Sequence, residues 1–170
     1  MKENQKVDVH VSLARNLYRD FASTLSREPE FMSLLARYAA EIEKSSKVME
    51  EIGLPNMCSF CATKIPGGGC CGSTVATWYD PFLLFINLMM DVGLQDEGYY
   101  EGCCRFLGRD GCTLKARYHF CVNYLCKRIY DAFDQKDLDL LRAQSGAELF
   151  AGWKLEVFTR QFLFKQGITL

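Results

Sequence analysis

Apolar residues along this chain change their spacing three times, and each change predicts a different kind of element. Over residues 8–27, Val11, Leu13, Leu17, Phe21 and Leu25 fall mostly at helical intervals, with Arg15, Arg19, Asp20 and Ser23 between them. Ser26-Arg27-Glu28-Pro29 interrupts that pattern, and a second helix is predicted from near Glu28 with Pro29 in its first turn. Phe31, Leu34, Leu35, Tyr38, Ile42 and Met49 carry it to about Ile52, where Gly53-Leu54-Pro55 stops it. Residues 56–75 lose all periodicity and read as a loop. At Tyr79-Asp80-Pro81 the pattern resumes: Asp80 suits an N-cap and Pro81 a first helical position. The helix that follows, FLLFINLMMDVGL, is apolar on most faces and is predicted to be central and buried, ending at Gly93. Met89 and Met90 within it are adjacent, so they diverge around the helix and read as core filling, not as a copper site.

Residues 95–102 are a polar loop. Gly108-Arg109-Asp110-Gly111 then marks a turn between Phe106-Leu107 and Thr113-Leu114, sufficient for a minor β-hairpin. From about Lys115 helical spacing returns through Tyr124, Leu125, Ile129 and Phe133. The tail, from Asp137 as N-cap to about Gln166, holds one or two helices with Ser145-Gly146 as a candidate break. Leu138, Leu141, Leu149, Trp153, Val157 and Phe164 form its apolar side, widened by Phe150, Phe158 and Phe162. Such a surplus of aromatics suits core packing or a homodimer formed through the C-terminal aromatic helices. The predicted class is all-α: one domain over residues 1–170, with an N-terminal helical hairpin (1–55), a cysteine-rich, loop-built core (56–130) and C-terminal helices (131–170).

Composition adds limits. At 49% hydrophobic and 13% aromatic residues, the 170-residue chain has ample material for a packed core. A formal net charge of −1 supplies no electrostatic drive toward nucleic acid or an anionic membrane surface. The longest apolar run, Pro81 to Met90, is ten residues, and a membrane-spanning helix needs about twenty. The first residues lack the apolar core of a secretory signal. A reducing, cytoplasmic setting is therefore expected, where clustered cysteines mean metal or redox chemistry more often than structural disulfides.

That expectation matters because all nine cysteines lie between Cys58 and Cys126. They run Cys58-x2-Cys61, the pair Cys70-Cys71, the pair Cys103-Cys104, then Cys112, Cys121 and Cys126. Two residues between thiolates let the chain reverse so that both sulfurs reach one metal. Gly67, Gly68, Gly69 and Gly72 surround the first pair, and glycine permits both positive φ and close backbone approach to a bulky site. No Gly-Lys-Ser/Thr follows, which removes a phosphate-binding loop. In an extended loop Cys70 and Cys71 point opposite ways, so they serve different sites, or one ligates while the other packs. Cys121 and Cys126, five residues apart, diverge by roughly 140° on an unbroken helix, so either the helix starts after Cys121 or the two thiols face different neighbours. His119 is the better histidine candidate, by its company; His10 reads as a surface residue.

The layout resembles the YkgJ-type cysteine-cluster family, described as zinc- or iron-chelating proteins. The matching residues are Cys58, Cys61, Cys70-Cys71, Cys104-Arg105-Phe106-Leu107, Gly111-Cys112, Arg117, Cys121 and Cys126. The sequence departs from that pattern in the eight residues between Cys61 and Cys70, in Tyr118 where the family has proline, and in a compressed Cys112–Cys121 gap. The resemblance implies Cys58, Cys61, Cys71, Cys104, Cys112, Cys121 and Cys126 as metal ligands, with Cys70 next and Cys103 after it. It implies Arg105 and Arg117 as the basic residues that support the bound cofactor. The same cysteine pattern is similar to a segment of a flagellin lysine methylase held to carry an iron–sulfur cluster. Iron–sulfur, as one or two [4Fe–4S] clusters, is thereby favoured over a structural zinc site. The expected roles are electron transfer with a redox partner, or support of a modification reaction on an unidentified protein partner. A third reading, an enzyme using a free thiolate, lacks a catalytic cysteine signature around any of the nine, and no catalytic residue is assigned.

Overall fold

The computed structural model describes residues 3–65 and 69–168. Gly67 and Gly68 lie outside the described residues. The chain is mostly helical. Two long helices open it, α1 (Glu3–Leu25) and α2 (Pro29–Glu51), and the longest, α7 (Gln135–Lys165), closes it. Between them come α3 (Leu54–Lys64), α4 (Pro81–Met89), α5 (His119–Asn123) and α6 (Lys127–Ala132), with 3-10 turns over Gly69–Cys71 and Ser73–Trp78. One two-stranded hairpin, β1 (Leu107–Gly108) and β2 (Gly111–Cys112), pairs Leu107 with Cys112 and Gly108 with Gly111. No described helix is long and apolar enough to cross a membrane.

The packing follows from the spacing. Phe31, Leu35, Tyr38, Ile42, Ser45 and Met49 form the buried stripe of α2, which lies along α7. From α7, Leu141, Ser145, Glu148, Ala151, Leu155, Thr159 and Leu163 are turned inward. Gly152 makes this approach possible: a Cβ there would stand 2.8 Å from the Tyr38 ring. Helix α1 packs instead on α4, which is buried on most faces, as its sequence predicts. The Asp80 side chain caps α4, accepting from Leu83 N–H at 2.9 Å. Two apolar clusters result. The larger joins α1, α2, α4 and much of α7; the smaller gathers Met49, Leu54, Ile129, Leu138 and Leu141 at the other end of α2.

Several boundaries differ from the sequence reading. Helix α4 ends at Met90, not at Gly93: Asp91 takes φ +59°, and Val92 N–H closes back on Asn87 O. An aspartate tolerates that left-handed geometry better than most side chains, so glycine was not needed. Helix α7 begins at Asp134, whose side chain accepts from Asp137 N–H; Asp137 donates that bond and is not itself the cap. Ser145-Gly146 does not break α7. Ser145 is buried and its hydroxyl donates to Val122 O, and packing against α2 outweighs the propensity cost of one glycine, about 1 kcal/mol.

Candidate metal centre

The largest correction falls on the first cysteine segment. Cys58 and Cys61 stand on helix α3, where a loop was expected. Gly53 at φ +76° closes α2, Pro55 sits in the first turn of α3, and Leu54 and Ala62 face inward. Two cysteines at i and i+3 share one helix face, so the Cys-x2-Cys pair still presents both sulfurs to one side. Gly69 follows at φ +56°, and a Cβ there would fall 2.5 Å from Cys61 Sγ. Glycine is required at this point on both counts.

The pair Cys70-Cys71 is also not extended. It lies in a 3-10 turn, and the two side chains hydrogen-bond each other instead of pointing to separate sites. That bond lowers the Cys70 thiol and, with burial, raises the Cys71 thiol. Cys71 also ties the two cysteine groups together: Cys104 N–H donates to Cys71 O at 2.7 Å, and Gly72 bridges Cys103.

The second group is anchored by a residue that periodicity does not flag. Asn87, fully buried in α4, donates from Nδ2 to Ala116 O at 2.9 Å and accepts from Ala116 N–H at 3.0 Å. With both backbone groups of Ala116 engaged, the helix predicted from Lys115 cannot start there. It starts at His119, breaks after Asn123, and resumes as α6 with Cys126 at its N-cap. Cys121 and Cys126 consequently face different neighbours, the second of the two outcomes that their spacing allowed. Tyr79 is another such residue: its hydroxyl donates to Cys121 Sγ at 3.7 Å and lies in the electrostatic reach of Cys112.

All nine cysteines are free thiols. Cys71, Cys103, Cys104 and Cys121 pack on the larger apolar cluster, Cys58 and Cys126 on the smaller. Six of the nine cysteines thus divide between the two clusters, while Cys70 and Cys112 are exposed. Cys58 interacts electrostatically with Cys70, Cys126 and Cys61, while Cys104 interacts with Cys112, Cys121 and Cys103. Burial, aided by these neighbours, pushes Cys58 up to about 11 and Cys104 up to about 12. Burial raises Cys121 too, against the Tyr79 hydroxyl. Backbone N–H groups of Phe106 and Leu114 hydrogen-bond the sulfurs of Cys104 and Cys112, each two residues back. Cys103 turns aside and donates to Ala62 O at 3.6 Å. Among the described residues, no three Cys, His, Asp or Glu side chains converge closely enough to hold a metal ion as they stand.

The two arginines separate. Arg117 interacts electrostatically with Cys58, Cys112 and Cys121. Arg105 pairs with Asp8 of α1 instead. His10 hydrogen-bonds Tyr79 O through Nδ1, and the His119 ring is tilted by 40° against Tyr118 with centroids 4.1 Å apart. On the far side of Tyr79 lies a cavity of about 290 Å³, walled in part by Tyr38, Trp78, Arg117, Tyr118 and Trp153. Glu148, beneath the α2–α7 contact, is fully buried with neither carboxylate oxygen hydrogen-bonded. Burial raises it; Ser45 and Arg117 offset part of that, although the Ser45 hydroxyl donates to Gln144 O.

No protein-family model matches the chain, no curated protein matches it, and no solved structure matches it.

Proposed function

We propose that the chain is an iron–sulfur protein whose cluster is bound by cysteines at the seam between its two apolar clusters. One observation carries this reading: thiols from α3, a 3-10 turn, the hairpin, α5 and the α6 N-cap are gathered into one electrostatic neighbourhood. The raised thiols Cys58, Cys104 and Cys121 resist ionisation as long as no cation is present, and a bound metal reverses that by stabilising the thiolates. The N–H···S bonds at Cys104 and Cys112 are the kind that orient ligating sulfurs and spread their charge. Because the sulfurs do not yet converge, metal binding and tightening of the segment occur together. The ligands are drawn from Cys58, Cys61, Cys70, Cys71, Cys104, Cys112, Cys121 and Cys126. Cys103 is left out, since its thiol is engaged by Ala62 O. Arg117 balances cluster charge; Arg105, paired with Asp8, does not.

A cluster of this kind supplies one-electron chemistry. The chain's own residues would hold it between the two apolar clusters, open to solvent at Cys70 and Cys112, and donate hydrogen bonds to its thiolates. Protein purified without oxygen is expected to be brown, with iron and acid-labile sulfide in near-equal amounts, and Cys58→Ser with Cys121→Ser is expected to remove both. A colourless protein holding stoichiometric zinc would replace this reading with the structural one. Absence of both metals would overturn each.

A further inference from the structure

We propose that the cavity behind Tyr79 binds a small aromatic carboxylate, gripped by Arg117 and sandwiched by Trp78 and Trp153. The proposal does not rest on the metal reading. The cavity, about 290 Å³, is at the lower end of ligand pockets, which suits a single ring and excludes a nucleotide. Its walls are assembled from three separate stretches: Trp78 to Asp80, Arg117 to His119, and the Leu149–Glu156 part of α7 across from Tyr38.

The charges select the ligand. Arg117 carries five donors, and among the described residues its hydrogen bond is to Met49 Sδ at 3.7 Å, a long contact to a weak acceptor. It makes no ion pair with any described carboxylate. The two carboxylates on the cavity wall, Asp80 and Glu156, share the single Arg160, so the wall is neutral only when Arg117 is counted, and Arg117 is the charged group there without an ion-pair partner among the described residues. A half-buried guanidinium lacking an oxygen acceptor is complementary to a carboxylate, which accepts two parallel N–H bonds.

The apolar requirement comes from the aromatic walls. Trp78 and Tyr118 are tilted against each other at 5.7 Å between ring centroids, and Trp153 on α7 is 58% exposed with no described partner on its cavity side beyond its stacking with Phe150. Trp78 also meets Phe120 edge-on at 5.1 Å, and a wall of aromatic rings of this kind favours a flat aromatic ligand. Position adds a consequence. Trp78 and Asp80 face the cavity while Tyr79, between them, reaches Cys121, so a bound ligand would lie one residue away from the cysteine segment.

Both tryptophans of the chain line this cavity, so intrinsic fluorescence reads it directly. Titration of the full chain with 4-nitrobenzoate is expected to quench that fluorescence saturably. Nitrobenzene, the same ring without the carboxylate, is expected to bind at least about tenfold more weakly, the scale of one charge-assisted hydrogen-bonded pair. Arg117→Gln should abolish the preference between the two probes. Trp153→Ala, at an exposed rim position that the fold tolerates, should weaken both. Linear, unsaturable quenching, equal affinity for the two probes, or unchanged affinity in Trp153→Ala would each overturn the proposal. Binding and metal content are measured on the same preparation, so a failure of one is not mistaken for a failure of the other.

Discussion

Between α2 and α7 the buried residues recur every three or four positions over many turns, and the contact is continuous. From Leu54 to Cys126 the elements are short, and what joins them is a handful of individual bonds: Asn87 to Ala116, Cys104 N–H to Cys71 O, Tyr79 to Cys121. The first region is stable through area; the second adds particular atoms to the apolar packing of α4, Phe106 and Leu114. A region of the second kind depends on whatever else its side chains can bind, and here those side chains are thiols. A cluster bound as proposed would join the two cores through them.

The comparison breaks most visibly if the helical pair is cut. Leu155→Ala, at a fully buried position on α7, should lower unfolding free energy by about 2–5 kcal/mol in denaturant titration while leaving metal content per folded molecule unchanged. Asn87→Ala attacks the other region. It strands the N–H and C=O of Ala116 in the interior, at a cost of about 1–3 kcal/mol for each group left unsatisfied. Unlike Leu155→Ala, it should also reduce metal content, since the Cys112–Cys121 connection loses its anchor.

These two residues also show what the sequence makes legible. Leu155 belongs to a long apolar pattern, and patterns of that length, with Pro29 or Asp80-Pro81 at their starts, place α1, α2, α4 and α7 to within a few residues. Asn87 sits inside an apolar run, where nothing in the spacing distinguishes a side chain that holds another segment's backbone. The helix read from Lys115 fails for that reason. The helical signal at Cys58 and Cys61 is Pro55 in a first turn with no breaker before Lys64, and the cysteine spacing masks it. That all nine thiols fall in one segment is legible from their order; which of them meet is not. Tyr79 and Glu148 carry no signal in one sequence, since only the folded chain shows a hydroxyl beside Cys121 or a carboxylate without a partner.

Glu148 sharpens the comparison from inside the helical pair. Its folded-state pKa is raised, so the native state holds its proton more tightly than the unfolded chain does. The stability this group contributes is complete below the ordinary carboxylate range and is lost as pH rises toward the raised value. Glu148→Gln should therefore raise the melting temperature at pH 7 and flatten its dependence on pH above about 4.3, the unperturbed glutamate value. A lower melting temperature would mean that the charge is compensated in the native state. The smallest effect is expected from Gly146→Ala, where no atom stands within 4 Å of the added Cβ. Alanine should stabilise an unbroken α7 by about 0.5–1 kcal/mol in thermal unfolding. Destabilisation would show that α7 bends at Ser145-Gly146.

The most direct test is hydrogen exchange on the protein as purified without oxygen, before and after treatment with a strong chelator and oxidant. The account predicts that residues 54–126 lose protection while the buried stripes of α2 and α7 keep theirs. Unchanged protection throughout would contradict a metal-held centre, and uniform loss would contradict a helical pair that stands without it.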